Sequence, residues 1–452
     1  MARFKILRWT VLGTVLLGLT ACKKNDDPTP GPNDTKRRTV LTYMVADNNL
    51  YSFAERDINE MEAGWSARFD GRLVVFLYPV AKTSGYAPRR TDYDEDPRLL
   101  LIERDDRTDV ISSRVLKRYD RTMDPTDPAT MRRVIDEVMQ LAPAESYGLV
   151  LWSHGSGWLT QGLSRPLRGV ASPLLSVADE PGAALPSETT APEDGVTAYS
   201  FGASDSHGGE MEVDELARAL PTETTFDFIL FDACHMAGIE VAWELRERTE
   251  YVIASAAETL ANGFPYEAIL GPMFEATADV KMIAREFYDY YNGQSGSFQS
   301  ATVGVIRCNR LPEVAAAMRS LCESGLPAGG ISYAGQQYGR KALDFDNTFY
   351  DLSDFVRRTW GTVNTAGVAR FDTAMDKAII YQAATPWLFK DERGAIRILT
   401  HCGVSCYLPR ASQPQALQAY RSRFGWSAAS GMGSSQINSF FLPVCLIIAS
   451  PQ

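Results

Sequence analysis

Histidine is scarce in this chain: there are four in 452 residues, so any imidazole chemistry must use His154, His207, His235 or His401. Positive charge is also short, with 45 Lys and Arg against 56 Asp and Glu and a formal net charge of −11. That balance argues against a nucleic-acid partner, which is met by a basic face. After residue 22 no run approaches the ~18 apolar residues of a membrane-spanning helix, so the rest of the chain is expected not to span a bilayer. There is no G-x-x-x-x-G-K-[ST] phosphate loop, no H-E-x-x-H zinc helix and no G-x-S-x-G nucleophile elbow. What is present excludes disorder: 8 Trp, 19 Tyr and 20 Phe supply ample anchors for a core.

The first 22 residues read as a targeting segment. Arg3, Lys5 and Arg8 precede a short apolar stretch from Trp9 to Leu19. Leu19-Thr20-Ala21-Cys22 resembles a bacterial lipobox, which makes Cys22 the candidate lipidation site and the membrane a partner through that anchor. Residues 23–38 are polar and rich in proline, a flexible tether. Lys23-Lys24-Asn25-Asp26-Asp27 resembles the basic-then-acidic export tag of bacterial surface lipoproteins, so the expected location is the outer membrane or cell surface. Of the cysteines beyond Cys22, Cys402 and Cys406 are too far apart on an extended segment to bridge, at about 13 Å. Cys308 with Cys322 is open on spacing alone.

Apolar β-rich runs occur at Thr39–Ala46, Leu73–Tyr78, Tyr147–Ser153, Phe226–Phe231 and Tyr251–Ala256, separated by segments with helical periodicity. Continuous rather than alternating apolar strands imply a mainly parallel sheet in an α/β fold. Asp47-Asn48-Asn49 is expected to cap a helix from Leu50, and Asp127 one from Pro128. Leu99–Glu103 and Ser113–Tyr119 suggest a hairpin. Residues 159–207 show no sustained period and form a long loop. Beyond residue 300 the reading is a strand at Ala301–Cys308 and helices at Pro312–Cys322, Leu352–Trp360 and Phe371–Ala383. Late strands follow at Val404–Leu408 and Val444–Ala449. The expected division is therefore a core over 39–300 and an α+β unit over 301–452.

Two buried strands stop at a reactive residue, one at His154 and the other at Cys234. In parallel sheets the ligand crevice lies at the strands' carboxyl ends, so adjacent strands would bring the two together across 80 positions. A nearby imidazole and a following helix N-terminus both favour the thiolate. The N–H groups of Gly155 and Cys234 are candidates for an oxyanion hole. On these facts alone an inert core thiol and an ordinary His-Gly turn remain the competing reading.

Leu151-Trp152-Ser153-His154-Gly155-Ser156-Gly157-Trp158 and Phe228-Ile229-Leu230-Phe231-Asp232-Ala233-Cys234 resemble the histidine and cysteine blocks of the clostripain family of cysteine peptidases. Tyr43–Leu50, Tyr251–Ser255 and Gly263-Phe264-Pro265-Tyr266 resemble its flanking segments, in family order. The resemblance implies a caspase-like α/β/α sandwich and a Cys234–His154 dyad acting on protein or peptide substrates through a thioester. It implies no required third residue and no required cofactor. It leaves calcium open, although Asp179-Glu180 and Glu193-Asp194 form no recognised calcium loop. It also implies a preference for Arg or Lys before the cut, held by Asp232. Where the family often carries a second acid, this chain has the neutral Asn262, which weakens that pocket. Relatives often self-process between the two blocks, and Arg165 and Arg168 are the candidate sites here.

His235 is a further departure. Neighbouring residues on extended backbone face opposite ways, so it is poorly placed to serve Cys234. His401 with Cys402 and Cys406 converges badly as a metal site, so no metal ligands are assigned. Two rivals remain. His154-Gly155-Ser156-Gly157 faintly resembles a lipase oxyanion motif, but without an elbow serine. A surface binding lipoprotein that kept the fold and lost activity is the alternative from another class.

Overall fold

The computed structural model describes residues 35–159, 201–340, 348–390, 395–410 and 413–434. Cys22, Arg165, Arg168, the Asp179–Asp194 acids and the segment 444–449 lie outside them. In chain order the first strands are β1 (Lys36–Val45), β2 (Gly71–Tyr78), β3 (Arg98–Leu101), β4 (Arg114–Arg118) and β5 (Ala144–Trp152). They are followed by β6 (Phe201–Ser204), β7 (Gly209–Met211), β8 (Phe228–Asp232), β9 (Tyr251–Ala254) and β10 (Thr302–Arg307), then β11 (Tyr350–Asp351) and β12 (Ile379–Ala384). Nine of these form one sheet in the order β12-β10-β9-β8-β5-β1-β2-β3-β4. The five central strands, β9 to β2, run parallel. Each flank adds two antiparallel strands.

The helices follow from that order. They are α1 (Tyr51–Gly64), α2 (Pro128–Leu141), α3 (Val213–Ala219), α4 (Ile239–Leu245), α5 (Tyr266–Met273) and α6 (Val280–Asn292). Beyond them come α7 (Leu311–Glu323), α8 (Leu352–Trp360) and α9 (Thr365–Ala378). From β1 the chain crosses to β2 through α1, then returns past β1 to β5 through α2. Right-handed crossovers place helices from opposite directions of travel on opposite faces. The steps β5-α3-β8-α4-β9 continue the return, so α2, α3 and α4 pack side by side, while α1 packs on α5 and α5 on α6. The reversal makes the carboxyl ends of β1 and β5 a topological switch point, the usual place for a site in such sheets.

The core matches the expected pattern. All eight residues of β2 and all five of β8 are buried, as a strand covered on both faces requires. The hairpin β3–β4 and the Asp127 cap, whose side chain accepts from Ala129 N, are as expected. Several expectations change. Helix α9 ends at Ala378, and Ile379-Ile380-Tyr381 turns into edge strand β12, where branched and aromatic side chains are favoured. Only Ser405 and Cys406 pair as a strand, against β11. Residues beyond 300 do not stand apart from the core: β10 and β12 complete the same sheet. Asp47-Asn48-Asn49 does not supply a side-chain cap to α1, whose N-cap is Leu50. Asn48 accepts from Leu50 N and donates to Ala203 O, and Asp47 accepts from Ser204 and Ser206. Cys234, Cys308, Cys322, Cys402 and Cys406 are all free.

At the opposite rim, buried Arg38 ties three elements. Its Nε bonds Asp227 Oδ2 at 2.6 Å, and its Nη1 donates to the carbonyls of Met273 and Glu275 at 2.9 and 2.8 Å. Arg38→Met would strand those acceptors. We expect a loss of about 2–3 kcal/mol, read as a lower urea midpoint with an unchanged slope; an unaltered midpoint would show that the tie adds nothing.

Candidate functional site

The site is set by strand register. Trp152 of β5 is paired with Asp232 of β8, and Ser153 N donates to Asp232 O. His154 and Cys234 therefore each lie two residues beyond the same rung of the ladder. Both line one pocket with Leu50, Trp152, Ser153, Asp232, Ala233, Glu258, Thr259, Leu260 and Ala261. Gly155 packs where the two strand ends converge: a Cβ there would sit 2.8 Å from Cys234 O. Any side chain at this position would push the histidine and cysteine segments apart. Neither Gly155 nor Asn262 lines the pocket.

Burial sets the resting protonation of the pair. The Cys234 thiol is pushed up to about 12, chiefly by burial and further by the Glu258 carboxylate, against a lowering hydrogen bond from Thr259 N. His154 is pushed down to about 4 by burial alone. At neutral pH both groups are uncharged. The imidazole Nε2 is 2.8 Å from Asn49 Oδ1, a contact that crosses from the β5 end to the β1–α1 turn.

Asp232 forms the acidic wall. Its Oδ2 accepts from Phe264 N and from Tyr266 OH, both at 3.0 Å. No hydrogen bond from the described residues reaches Oδ1. Burial lifts this carboxyl to about 6. The 263–266 turn can wrap it only because Gly263 has φ +64 and no side chain; a Cβ would lie 2.5 Å from Oδ2.

Four residues of this region escaped sequence reading. Asp57 and Glu60 of α1 stand behind the pocket. Asp57 Oδ2 accepts from Trp152 Nε1 at 2.6 Å, and Glu60 accepts from Tyr266 N. Burial raises both carboxyls, and the charge of Asp232 raises them further. The signal for Asp57 was its spacing: it falls on the buried stripe of Ala54, Ile58 and Met61, where a carboxylate needs a reason. Glu258 lines the pocket and forms an ion pair of 2.7 Å with fully buried Arg340; nothing in the sequence pairs them. Asn49 reads as a cap and acts elsewhere.

His235 stands outside the pocket. It has φ 61, stacks on Phe349 at 4.1 Å, bonds Ala256 O through Nδ1, and is held neutral by burial, which pushes it down to about 3. His207 bonds Tyr78 and His401 bonds Tyr338, both away from the pocket. Among the described residues no group of three or more His, Cys, Asp and Glu is placed to hold a metal ion.

A cysteine and a histidine past one rung of a parallel α/β/α sheet, beside a buried carboxylate, is the layout of the caspase-like group of cysteine peptidases. The chain belongs to the clostripain family, whose model matches residues 42–171 and 193–432. Clostripain from Hathewaya histolytica is 23% identical over 250 residues, 52% of this chain and 42% of that protein, so the chain spans less than half of that relative. An inactive zymogen C11 protease from Parabacteroides distasonis is 28% identical, with a TM-score of 0.64, over 88% of this chain and 99% of that one. A secreted C11 cysteine protease from Bacteroides thetaiotaomicron, solved with an irreversible peptide inhibitor, is 25% identical, with a TM-score of 0.66, over 87% and 99%.

Proposed function

We propose that the chain is a cysteine endopeptidase using Cys234 and His154, with specificity for Arg or Lys before the scissile bond. The observation that carries it is the shared register of the two strand ends beside a buried carboxylate. In the proposed reaction Cys234 gives its proton to His154 as the sulfur attacks the carbonyl carbon. The tetrahedral oxyanion is met by backbone N–H groups at the Cys234 and Gly155 turns. Collapse breaks the C–N bond, the imidazolium proton goes to the leaving amine, and a thioester remains. Water, losing its proton to His154, then frees the acid and restores the thiol.

Asp232 supports the basic preference, because it lines the pocket and a guanidinium or ammonium would supply the charge that burial denies it. Asp57 and Glu60 stand behind it, with carboxyls that burial raises toward their neutral forms. The test is cleavage by residues 23–452, which keep all of β1, of peptides with Arg, Lys, Asn or Ala at P1, beside Cys234→Ala. Cleavage after Arg and Lys, abolished in the variant, is expected. Preference for Asn or Ala would overturn the pocket, and no cleavage at all would favour a binding protein that kept the fold. Since the Asp232 carboxyl is raised to about 6, it is neutral below that pH. On basic substrates kcat/KM should fall as pH drops through about 6. Asp232→Asn should remove that limb and cost about 10- to 100-fold.

Two finer readings accompany the core activity. The lipobox supports anchoring through Cys22 at the cell surface, so palmitate labelling of the full chain should vanish in Cys22→Ala. Arg165 and Arg168 fall between the histidine and cysteine blocks and suit a basic-specific enzyme acting on itself. Mass spectrometry should find wild type cut after one of them and Cys234→Ala intact; identical intact chains would remove self-processing.

A further inference from the structure

The Asn49 contact fixes more than the position of His154. An amide oxygen only accepts, so the hydrogen between Oδ1 and Nε2, 2.8 Å apart, belongs to the ring. The imidazole is neutral at pH 7, because burial holds it near 4. A neutral ring carries one N–H. With that hydrogen on Nε2, Nδ1 holds the lone pair.

We infer that Asn49 is a positioning residue that sets the His154 tautomer and makes Nδ1 the nitrogen that exchanges protons with Cys234 and the leaving group. This rests on the peptidase reading for its role, though not for its geometry. On attack the Sγ proton passes to Nδ1, and the ring becomes an imidazolium donating from both nitrogens. Nε2–H stays on Asn49 Oδ1, and that charge-assisted bond strengthens as positive charge develops. When the amine leaves, the Nδ1 proton goes with it, and the original tautomer returns. The residue is supplied by the turn after β1, so the bond also spans the topological switch point. It locks the β5 end, which carries the base, to the first turn of the opposite helical layer. Asn48 holds that turn from behind, through Leu50 N, Val45 O and Ala203 O. Asn49 can therefore present its amide without paying much conformational freedom.

Histidine-selective 15N NMR reads the tautomer directly, and His154→Gln assigns its signals among the four histidines. Wild type at pH 7 should show His154 with hydrogen on Nε2, and Asn49→Ala should lose that preference. In peptide cleavage, Asn49→Ala should lower kcat by about 10- to 100-fold, with KM little changed and the fold intact by thermal unfolding. Asn49→Asp keeps an acceptor, so it should retain the tautomer and most of kcat. Its carboxylate also favours the imidazolium, which should move the acidic limb due to His154 up from about 4. Hydrogen on Nδ1 in wild type would overturn the inference, as would an Asn49→Ala protein with unchanged tautomer and kcat. The NMR result decides the tautomer even in a protein that cleaves nothing, so failure here and failure of the peptidase reading are told apart.

Discussion

The pairing of Trp152 with Asp232 is the constraint on which the site depends. A parallel ladder leaves no freedom in how far each strand projects: once one rung is fixed, residues the same number of steps beyond it emerge at the same height. The rung lies where both strands are buried, at Gly148–Trp152 of β5 and Phe228–Asp232 of β8, so a slip would turn an apolar set toward the wrong layer. His154 and Cys234 are brought together by this register rather than by any direct bond between them. Asp232 belongs to the rung itself and so becomes the pocket's wall. The three proposed roles thus trace to one backbone alignment.

The same burial that makes the register rigid works against a standing ion pair. A thiol near 12 and an imidazole near 4 both favour their neutral forms. In the proposed reaction the proton therefore moves as the sulfur bonds to carbon, with the developing charge met by donors already in place. Burial acts the other way on the acids: Asp232, Asp57 and Glu60 are each raised, and the charge of Asp232 raises the other two further. On the proposed reading, a cationic side chain entering this region would supply the charge that burial denies Asp232.

Much of this was legible in the sequence, and the reason is local. Continuous apolar runs with β-branched residues specify buried parallel strands, and a reactive residue after such a run points to the rim. That logic reaches His154 and Cys234 without any tertiary information, while the role expected of Asp232 comes from the family resemblance. It fails where the determining contact is long-range. Asn49 looks like a helix cap because its sequence neighbours make turns, while its partner lies 105 positions away. Glu258 and Arg340 meet only because two distant segments pack at the pocket. Ile379 to Ala384 carries a periodicity that suits a helix as well as a strand. The open edge of β10 decides in favour of a strand by offering it hydrogen-bond partners.

The late segments also have a mechanical role that a core-plus-appendage picture would hide. Ser405 N donates to Ala237 O, and Ser405 bridges Gly238, three and four residues beyond Cys234. Tyr407 N donates to the buried Glu240 carboxyl at 2.9 Å. The turn after Cys234 therefore does not hold its own shape. It includes His235 at positive φ, a conformation that a branched-ring residue adopts only when its surroundings impose it. Phe349 stacked on that ring and Ser405 bonded to the next turn are those surroundings. The segment from 349 to 407 is thus part of what positions the Cys234 turn. A helix that stops at Leu245 after only two turns owes its start to chain from the far end of the sequence.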